Sequence, residues 1–160
     1  MLDKKDRAII SLLQYDGRIP YTKIAEKLNI TEGSVRHRVK RLLDDKKLQI
    51  VGITQPEEMG WNESGVIGIT VQPSLIVEGA DAIAQLPEVS YLVQVAGEFD
   101  FFAEVYCRDR DHFVSFLNTK LQQIPGVERS QSFIILKMHK LSSRWGEGEA
   151  EAPPKEFITT

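Results

Sequence analysis

The chain has 160 residues, 42% hydrophobic and 27% charged, a balance typical of a soluble protein with one domain or two small ones. A single cysteine, Cys107, excludes an intrachain disulfide, and its apolar neighbours predict a buried, unreactive thiol. The N-terminus has no signal-peptide layout and no apolar run approaches membrane-spanning length, so we expect a cytoplasmic protein.

The net charge of −3 is unevenly distributed along the chain. Residues 1–50 hold seven Lys and five Arg against five Asp and two Glu, a net charge of +5, and the remaining residues carry −8. A basic first part beside an acidic remainder indicates that the first part meets a polyanion and that the rest has another task.

The first predicted element is a helix that begins after Asp3. Asp3 is a capping residue, Asp6 follows three positions later, and both acids suit the positive end of a helix dipole. An apolar face follows, and Asp16-Gly17 ends the helix. Arg18 comes next and is open to two interpretations, a phosphate contact or a surface salt bridge.

Residues 20–43, PYTKIAEKLNITEGSVRHRVKRLL, contain two short helical patterns joined by a polar corner. Asn29 is suited to leave the first helix, Ile30 to enter the core, and Thr31 to cap the second helix. That second helix is apolar on one side and cationic on the other, which is what a DNA-reading helix requires. We therefore predict a helix-turn-helix, the alternative being a helical hairpin with a solvated charged face.

The candidate DNA-binding residues lie on the second helix of this motif, at its start, and after the first helix of the chain. Arg and Lys four residues apart are able to read guanine edges in the major groove. These candidates are Arg18, Thr31, Ser34, Arg36, His37, Arg38, Lys40 and Arg41, with Arg38 placed on the flank of the outward face.

Residues 48–54 are β-branched and too few for a helix, so we expect a strand that acts as a wing or as a bridge. Beyond the linker, alternating and helical patterns follow one another in the order βαββαβ, with a long helix that ends at Pro125-Gly126 and a last strand over residues 127–140. This order predicts an α+β ferredoxin-like domain with both helices on one face of an antiparallel sheet.

The other face of that sheet is also partly apolar. Leu92, Phe102 and Tyr106 have the opposite phase to the helix-facing residues, and no further segment is left to cover them. We therefore expect a dimer interface there. The expected domains are 1–47 for DNA binding, 48–63 for strand and linker, 64–141 for effector binding and oligomerisation, and 142–160 for an acidic, mobile tail.

Over residues 2–141 the chain resembles the Lrp/AsnC (feast/famine) family of transcription regulators. The matching stretches are LDKKDRAIISLLQYDGRIPYTKIAEKLNIT, SVRHRVKRL, QPEEMG, VAGEFDFFAEV and IPGVERSQSFIIL. The resemblance implies sequence-specific binding of double-stranded DNA by a homodimer, or a higher oligomer such as an octamer. It also implies modulation by a small effector, commonly an amino acid. One departure is Lys46-Lys47, where many members have Gly after the recognition helix.

The resemblance places the effector near a glycine-x-x-aspartate turn, here Gly97-Glu98-Phe99-Asp100. A carboxylate at this turn is able to hold an ammonium group, and Gly allows close approach of the backbone. The alternative is that Asp100 only fixes the hairpin. Ser130 and Ser132 are further candidates that would supply hydroxyls.

Two other functions compete with the regulator. Haem-pathway decarboxylases resemble this architecture, but the three histidines, His37, His112 and His139, lie on separate elements without metal-ligand spacing. We expect no catalytic residue, metal or cofactor. The second alternative is an architectural DNA-binding protein of low specificity. It differs from a specific regulator only in the ratio of its affinities for specific and non-specific DNA.

Overall fold

The structure, a computed structural model, describes residues 1–141, so the expected acidic tail lies outside the described residues. The chain forms two compact units. One contains residues 1–53 and the described residues after Lys137, and the other spans Thr54–Lys137. No helix within residues 1–141 is long and apolar enough to cross a membrane.

The first unit contains three helices, α1 (Lys4–Tyr15), α2 (Tyr21–Leu28) and α3 (Glu32–Asp44). A capping box begins α1, as predicted: the Asp6 N–H donates to Asp3 Oδ1 at 2.7 Å, and the Asp3 N–H donates to Asp6 Oδ2 at 3.2 Å. Asn29 ends α2 in the left-handed conformation, with φ 49°. The Thr31 hydroxyl accepts a bond from the Ser34 N–H at 3.2 Å and so caps α3. The predicted polar corner is therefore confirmed.

A small apolar core holds the three helices together. Its position decides which side of α3 remains outside, because Val35, Val39 and Leu42 are all buried on the inner side. The buried members of this core are Ile9, Leu13, Ile24, Ala25, Val35 and Val39.

Residues 48–55 form no strand, which corrects the expected strand over 48–54. Val51 and Ile53 are 68% and 55% exposed. A strand requires a neighbouring row of backbone donors and acceptors, and none of the described residues pairs with this segment. The β-branched residues favour an extended backbone, but within residues 1–141 this segment has no neighbouring strand with which to pair.

The second unit is a four-stranded antiparallel sheet in the order β2-β3-β1-β4, carrying two helices. Its order along the chain, βαββαβ, confirms the predicted ferredoxin-like arrangement. The elements are β1 (Glu63–Val71), α4 (Ile76–Ala84), β2 (Val89–Gln94), β3 (Phe101–Cys107), α5 (Arg110–Thr119) and β4 (Val127–Ile134).

Two predicted elements are shorter than expected. The helix predicted to run to residue 124 ends at Thr119, and a separate 3-10 turn, Leu121–Gln123, keeps Leu121 buried. The last strand ends at Ile134 rather than at residue 140. Its partner β1 begins at Glu63, and the Ile135 N–H makes one more bond to the Ser64 carbonyl at 2.9 Å. Beyond that point β4 has no neighbouring strand to continue the ladder.

One face of the sheet packs against the helices and forms the main core. It contains Cys107, whose thiol is buried as predicted, and this burial raises its pKa to about 11. The other buried members of this core are Ile67, Ile69, Val71, Ile83, Phe101, Ala103, Val105, Phe113, Phe116 and Leu121. We call the opposite side of the sheet, away from α4 and α5, the open face.

A β-bulge in β2 overturns one predicted residue of the open face. Val89 pairs with Val105, but the register shifts before Tyr91, and Leu92 then pairs with Ala103 on the helix side. Directly paired residues point to the same side of a sheet. Leu92 therefore packs on the main core, and its expected place on the open face is wrong.

Candidate DNA interface and effector region

The outward side of α3 carries four exposed candidates, Arg36, His37, Lys40 and Arg41, whereas the Arg38 side chain is only 22% exposed. This arrangement agrees with the predicted outward face and with the placement of Arg38 on its flank. A capped helix that presents cations away from its own core has the layout of a helix that enters the major groove.

Two of these arginines are held by a buried acid on α1. The carboxylate of Asp6, 1% exposed, accepts a bond from Arg38 Nη1 at 2.8 Å and from Arg41 Nη2 at 2.7 Å. Arg38 also bonds Asp3 at 2.6 Å. Burial opposes the charge of Asp6, but the arginines and the Asp3 N–H outweigh it and lower the pKa of the Asp6 carboxyl. Arg38 and Arg41 thus tie α3 to α1.

The other cations of α3 make exposed pairs within the helix. Arg36 bonds Glu32 at 2.6 Å and its guanidinium lies 5.5 Å from the Tyr21 ring centroid. Lys40 bonds Asp44 at 2.7 Å, with both side chains more than half exposed. Exposed pairs contribute about 0–1 kcal/mol, so Arg36 and Lys40 are free to exchange their acids for DNA.

The remaining DNA candidates, Thr31, Ser34 and Arg18, differ in the contacts that they already make within the protein. Thr31 and Ser34 are joined by the helix cap and stand at the positive end of α3, where phosphate oxygens are favoured. Arg18 is exposed and its side chain makes no ion pair with any residue of 1–141. A phosphate contact and a surface salt bridge both stay predictions for Arg18.

Lys46 adopts the conformation that glycine adopts after many helices. Its φ is 55°, and the N–H groups of Lys46 and Lys47 bond the carbonyls of Leu43 and Leu42 at 3.0 and 2.9 Å. This is the backbone pattern of a left-handed helix end. Lys46 therefore occupies the left-handed position that favours glycine, in a conformation that costs a non-glycine residue free energy.

At the predicted effector turn, the carboxylate of Asp100 makes a hydrogen bond that extends the pairing of β1 with β3. Its Oδ2 accepts a bond from the Val71 N–H at 2.8 Å, while the Asp100 N–H donates to the Ile69 carbonyl at 2.9 Å. Within residues 1–141 this carboxylate makes no other hydrogen bond, so one oxygen remains able to bind a ligand. A Cβ at Gly97 would meet nothing within 4 Å, so no group of the described chain requires glycine there.

The two serines lie on the side away from the open face. Ser130 pairs with Ile69 and Ser132 with Ile67, both of which are buried under the helices. Each serine is half-buried on an edge strand. Ser130 lies at the level of Phe101, next to Asp100, and Ser132 at the level of Ala103, and both point to the helix side, so the geometry separates them from groups on the open face.

Phe102 and Tyr106 do lie on the open face, alternating along β3 with the buried Phe101 and Val105. The Tyr106 hydroxyl donates to Glu104 at 3.1 Å. Burial first, and then the charge of Glu104, raise the pKa of Tyr106 to about 12. The bulge adds Tyr91, which pairs with Glu104 and is 58% exposed, where the sequence pattern had placed Leu92.

Sequence reasoning missed a second group beside the Asp100 turn. Phe99 is buried against Gly68, where an added Cβ would meet its ring at 2.8 Å. The Arg129 guanidinium lies 5.3 Å from the centroid of the Phe99 ring and bonds Glu98 at 2.9 Å. Spacing along the chain gives no sign of this group, because Arg129 on β4 comes near Phe99 only once the strands are paired in the sheet.

The histidines are not gathered into a site. Among residues 1–141 no three His, Cys, Asp or Glu side chains are grouped to hold a metal ion. His112 instead accepts a bond from the Arg108 N–H at Nδ1 and faces Glu88 Oε1 through Nε2 at 3.1 Å. Lys120 bonds the same Glu88 oxygen, so this cluster fastens α5 to the loop before β2.

Family comparisons match both units in sequence. The AsnC-type helix-turn-helix domain matches residues 2–43 and the Lrp/AsnC ligand binding domain matches residues 64–145. An HTH-type transcriptional regulator of Pyrococcus abyssi is 33% identical over 146 residues, 91% of this chain and 90% of that protein. LrpA of Pyrococcus horikoshii is 32% identical over 143 residues, 88% of this chain and all of that protein.

Solved structures share the fold. A transcriptional regulator of Neisseria meningitidis in complex with L-Met has a TM-score of 0.81 at 24% identity, covering 91% of this chain and 97% of its own. AsnC of E. coli has a TM-score of 0.79 at 21% identity, covering 90% and 98%. The chain therefore belongs to the Lrp/AsnC family of transcriptional regulators, with a helix-turn-helix domain followed by a ligand binding domain.

Proposed function

We propose that this regulator binds a specific DNA site through α3 and that an amino-acid effector changes its assembly or its affinity for DNA. The observation that carries the DNA part is the cationic outer side of α3, displayed by a packed three-helix core and a Thr31 cap. We propose that the protein acts by binding and not by catalysis, because the family is one of regulators.

Within α3 we assign groove contacts to Arg36, His37 and Lys40 first. The ion pairs of Arg36 and Lys40 are exposed and weak, so DNA is able to replace the acids. Arg41 has one bond to buried Asp6 and remains about half exposed, so it suits a phosphate contact at the edge. Arg38 supports the position of the helix.

The test of DNA recognition uses an operator obtained by selection from random DNA, with binding measured at two salt concentrations. Arg36→Ala should cost roughly 1–3 kcal/mol and relax preference at one base pair, because an arginine that reads a base edge contributes at this level. The control is Arg110→Ala, an equally exposed arginine on α5. Unchanged affinity and footprint for Arg36→Ala would remove it from the interface, and equal affinity for selected and random DNA would favour the architectural alternative.

We propose a homodimer whose interface is the open face, with Phe102 and Tyr106 covered by a second copy. Phe102 and Tyr106 are only half-buried within the described chain, with the centroid of the Phe99 ring 5.5 Å from that of Phe102, and the bulge adds the exposed Tyr91 to the same surface. A dimer carries two helix-turn-helix units, which then read a pseudo-palindromic site with half-sites about one helical turn apart or a multiple of it. Octamers or other closed assemblies of such dimers are compatible with this arrangement.

We propose that the effector binds beside Gly97 and Asp100, at a junction between subunits. Support comes from the uncommitted oxygen of Asp100, the open space at Gly97, and the L-Met complex of the Neisseria regulator with the same fold. An effector shifts an assembly only by its difference in affinity for the two states.

The effector test is calorimetry with the twenty amino acids on the wild type and on Asp100→Asn. An asparagine keeps an oxygen for the Val71 N–H but removes the charge, so this variant separates ligand binding from the fixing of the turn. We expect Asp100→Asn to lose the effector's influence on DNA binding while ligand-free DNA binding stays near normal. No binding by the wild type below millimolar concentration would reject the effector, and Ser130→Ala and Ser132→Ala test whether those hydroxyls take part.

A further inference from the structure

One acid lies among the cations that α3 presents to the outside. Glu32 is the first residue of α3, and Arg36 follows one helical turn later on the same side. Arg36 Nη2 donates to Glu32 Oε1 at 2.6 Å, with the two side chains 67% and 43% exposed. A large share of the affinity for DNA comes from neutralising phosphates with Lys and Arg. An acid at this place lowers that affinity, so Glu32 does not serve to strengthen binding in general.

The guanidinium of Arg36 is held from two sides. Besides its bond to Glu32, it lies 5.5 Å from the centroid of the Tyr21 ring, within the range of a cation–π contact. Tyr21 begins α2 and packs against the core of the three helices. The ring and the carboxylate together limit the directions open to the guanidinium. Since the N-terminal residues of a recognition helix contact base edges, Glu32 and Arg36 present an acceptor beside a row of donors to the groove.

The major-groove edge of a G·C pair has the matching pattern. Guanine offers two acceptors, N7 and O6, and cytosine offers one donor, its 4-amino group. Arginine pairs with the two guanine acceptors, and glutamate accepts from the cytosine amino group. An exposed ion pair is opened at little cost, but the carboxylate that Arg36 releases is then removed from water by the DNA. A charge in that position is costly unless it finds a new donor.

We infer that Glu32 is a specificity-determining residue, which accepts a hydrogen bond from the 4-amino group of a cytosine within one base-pair step of the guanine that Arg36 reads. On such a site both members of the ion pair exchange one partner for another. On other DNA the carboxylate faces the bases without a donor, and the complex is weakened. Glu32 thus lowers the affinity for DNA in general and raises the ratio of specific to non-specific binding. This role rests on the proposed DNA recognition and adds a second base to it.

The test begins with selection from random DNA by the wild type and by Arg36→Ala, which identifies the guanine as the base whose preference the variant loses. Each cytosine in that base pair and in its two neighbours is then replaced by 2-pyrimidinone, which removes the 4-amino group and leaves every guanine in place. One of these replacements should weaken the wild type roughly tenfold in fluorescence anisotropy, the size of a lost base contact. The same replacement should not weaken Glu32→Ala.

Glu32→Ala should also change the two kinds of binding in opposite senses. It should raise the affinity for random DNA several-fold, because an acid is removed, and lower the ratio of selected to random binding. Glu26→Ala is the charge control, since it removes an exposed acid of α2 from the same unit and should raise both affinities by one factor. Glu32→Asp keeps the charge on a shorter side chain, so it should lose the response to the amino group without gaining affinity for random DNA.

The role of Glu32 is overturned if removing the amino group weakens Glu32→Ala as much as the wild type, or if no replacement weakens the wild type. It is equally overturned if Glu32→Ala and Glu26→Ala leave the same ratio of selected to random binding. If Arg36→Ala still loses its base in these cases, DNA recognition stands without a role for Glu32. If the wild type selects no site, both proposals fail.

Discussion

At the scale of single residues, the cations of α3 fall into two kinds, according to whether the acid that each one bonds is buried or exposed. Arg38 and Arg41 bond a carboxylate that is almost fully buried, whereas Lys40 bonds an acid on its own exposed surface. A buried acid cannot be released without leaving an unpaired charge, and an exposed acid can be. The two kinds therefore respond differently to substitution.

Replacing Asp44 by Asn should raise the affinity for DNA. The substitution frees Lys40 from its 2.7 Å pair and removes a negative charge next to the phosphate backbone. We expect a several-fold increase in affinity at low salt and a steeper dependence on salt, measured by fluorescence anisotropy. The matched control is Asp81→Asn on α4 of the other unit, and an equal effect of both changes would show that only net charge matters.

Replacing Lys46 by Gly should stabilise the first unit by up to about 1 kcal/mol. A non-glycine residue in the left-handed conformation carries a cost of roughly that size, which glycine avoids. Thermal unfolding measures the gain, and Lys47→Gly, next in the chain, serves as a control that should not stabilise. If Lys46→Gly also weakens DNA binding, the strained lysine is kept for its charge.

The scale of single residues also marks the limit of sequence reasoning. The caps at Asp3 and Thr31 were predictable because each acts on a backbone N–H three residues away. The bond from Arg38 to Asp6 spans 32 positions, and the meeting of Thr70 with Arg129 requires the register of β1 on β4. Neither contact has a signal in local spacing, so the anchoring role of Asp6 and the pairing of Thr70 with Arg129 required the structure.

At the scale of elements, the two units each use one buried carboxylate to fasten a helix. Asp6 joins α1 to α3, and Glu88 joins the loop before β2 to α5 through Lys120 and His112. Burial opposes the charge of Glu88, but the bonds from Lys120 and His112 outweigh it, so its pKa is lowered. Both acids therefore bind protons less readily when the protein is folded.

The protein should lose stability in acid through these two groups. Unfolded Asp and Glu titrate near pH 4, and their contribution is fully present above that pH and lost as the pH falls through the lower folded-state values. Asp6→Asn should cost about 1–3 kcal/mol at pH 7 and flatten the dependence of the melting temperature on pH below about 4.5. Asp81→Asn, at an exposed position of α4, is the control, and an unchanged slope in Asp6→Asn would assign acid unfolding to other carboxylates.

Period and order along the chain predicted the five α-helices and four strands found in residues 1–141, but not all their ends. The expected strand over 48–54 and the extension of β4 both failed for one reason, since extended chain becomes a strand only beside a partner. The phase of β2 failed at the bulge, which depends on how β3 lies beside it. The ends of a strand, and the face to which each of its side chains points, depend on the neighbouring strand. The sequence of a single segment therefore does not determine them.

At the scale of the whole molecule, the open face is the surface on which we propose that a second copy binds. Phe102→Glu should break the assembly, because the charge would be buried without a partner. Light scattering checks the mass in solution, with Val114→Glu on the outer side of α5 as the matched control. An assembly of wild-type mass for Phe102→Glu would mean that another surface joins the subunits.

The bulge before Tyr91 has a genetic consequence. Val89 pairs with Val105 and Tyr91 with Glu104, so Ser90 is the extra residue of the bulge and has no register partner on β3. Side chains in a strand alternate between the two sides, so a deletion normally exchanges the sides of all residues beyond it. Deleting the codon for Ser90 would instead restore a regular ladder and leave Tyr91 on the open face and Leu92 on the helix side. This one-codon deletion should therefore keep the surface offered to a second copy, and light scattering of the deleted chain should give the wild-type mass.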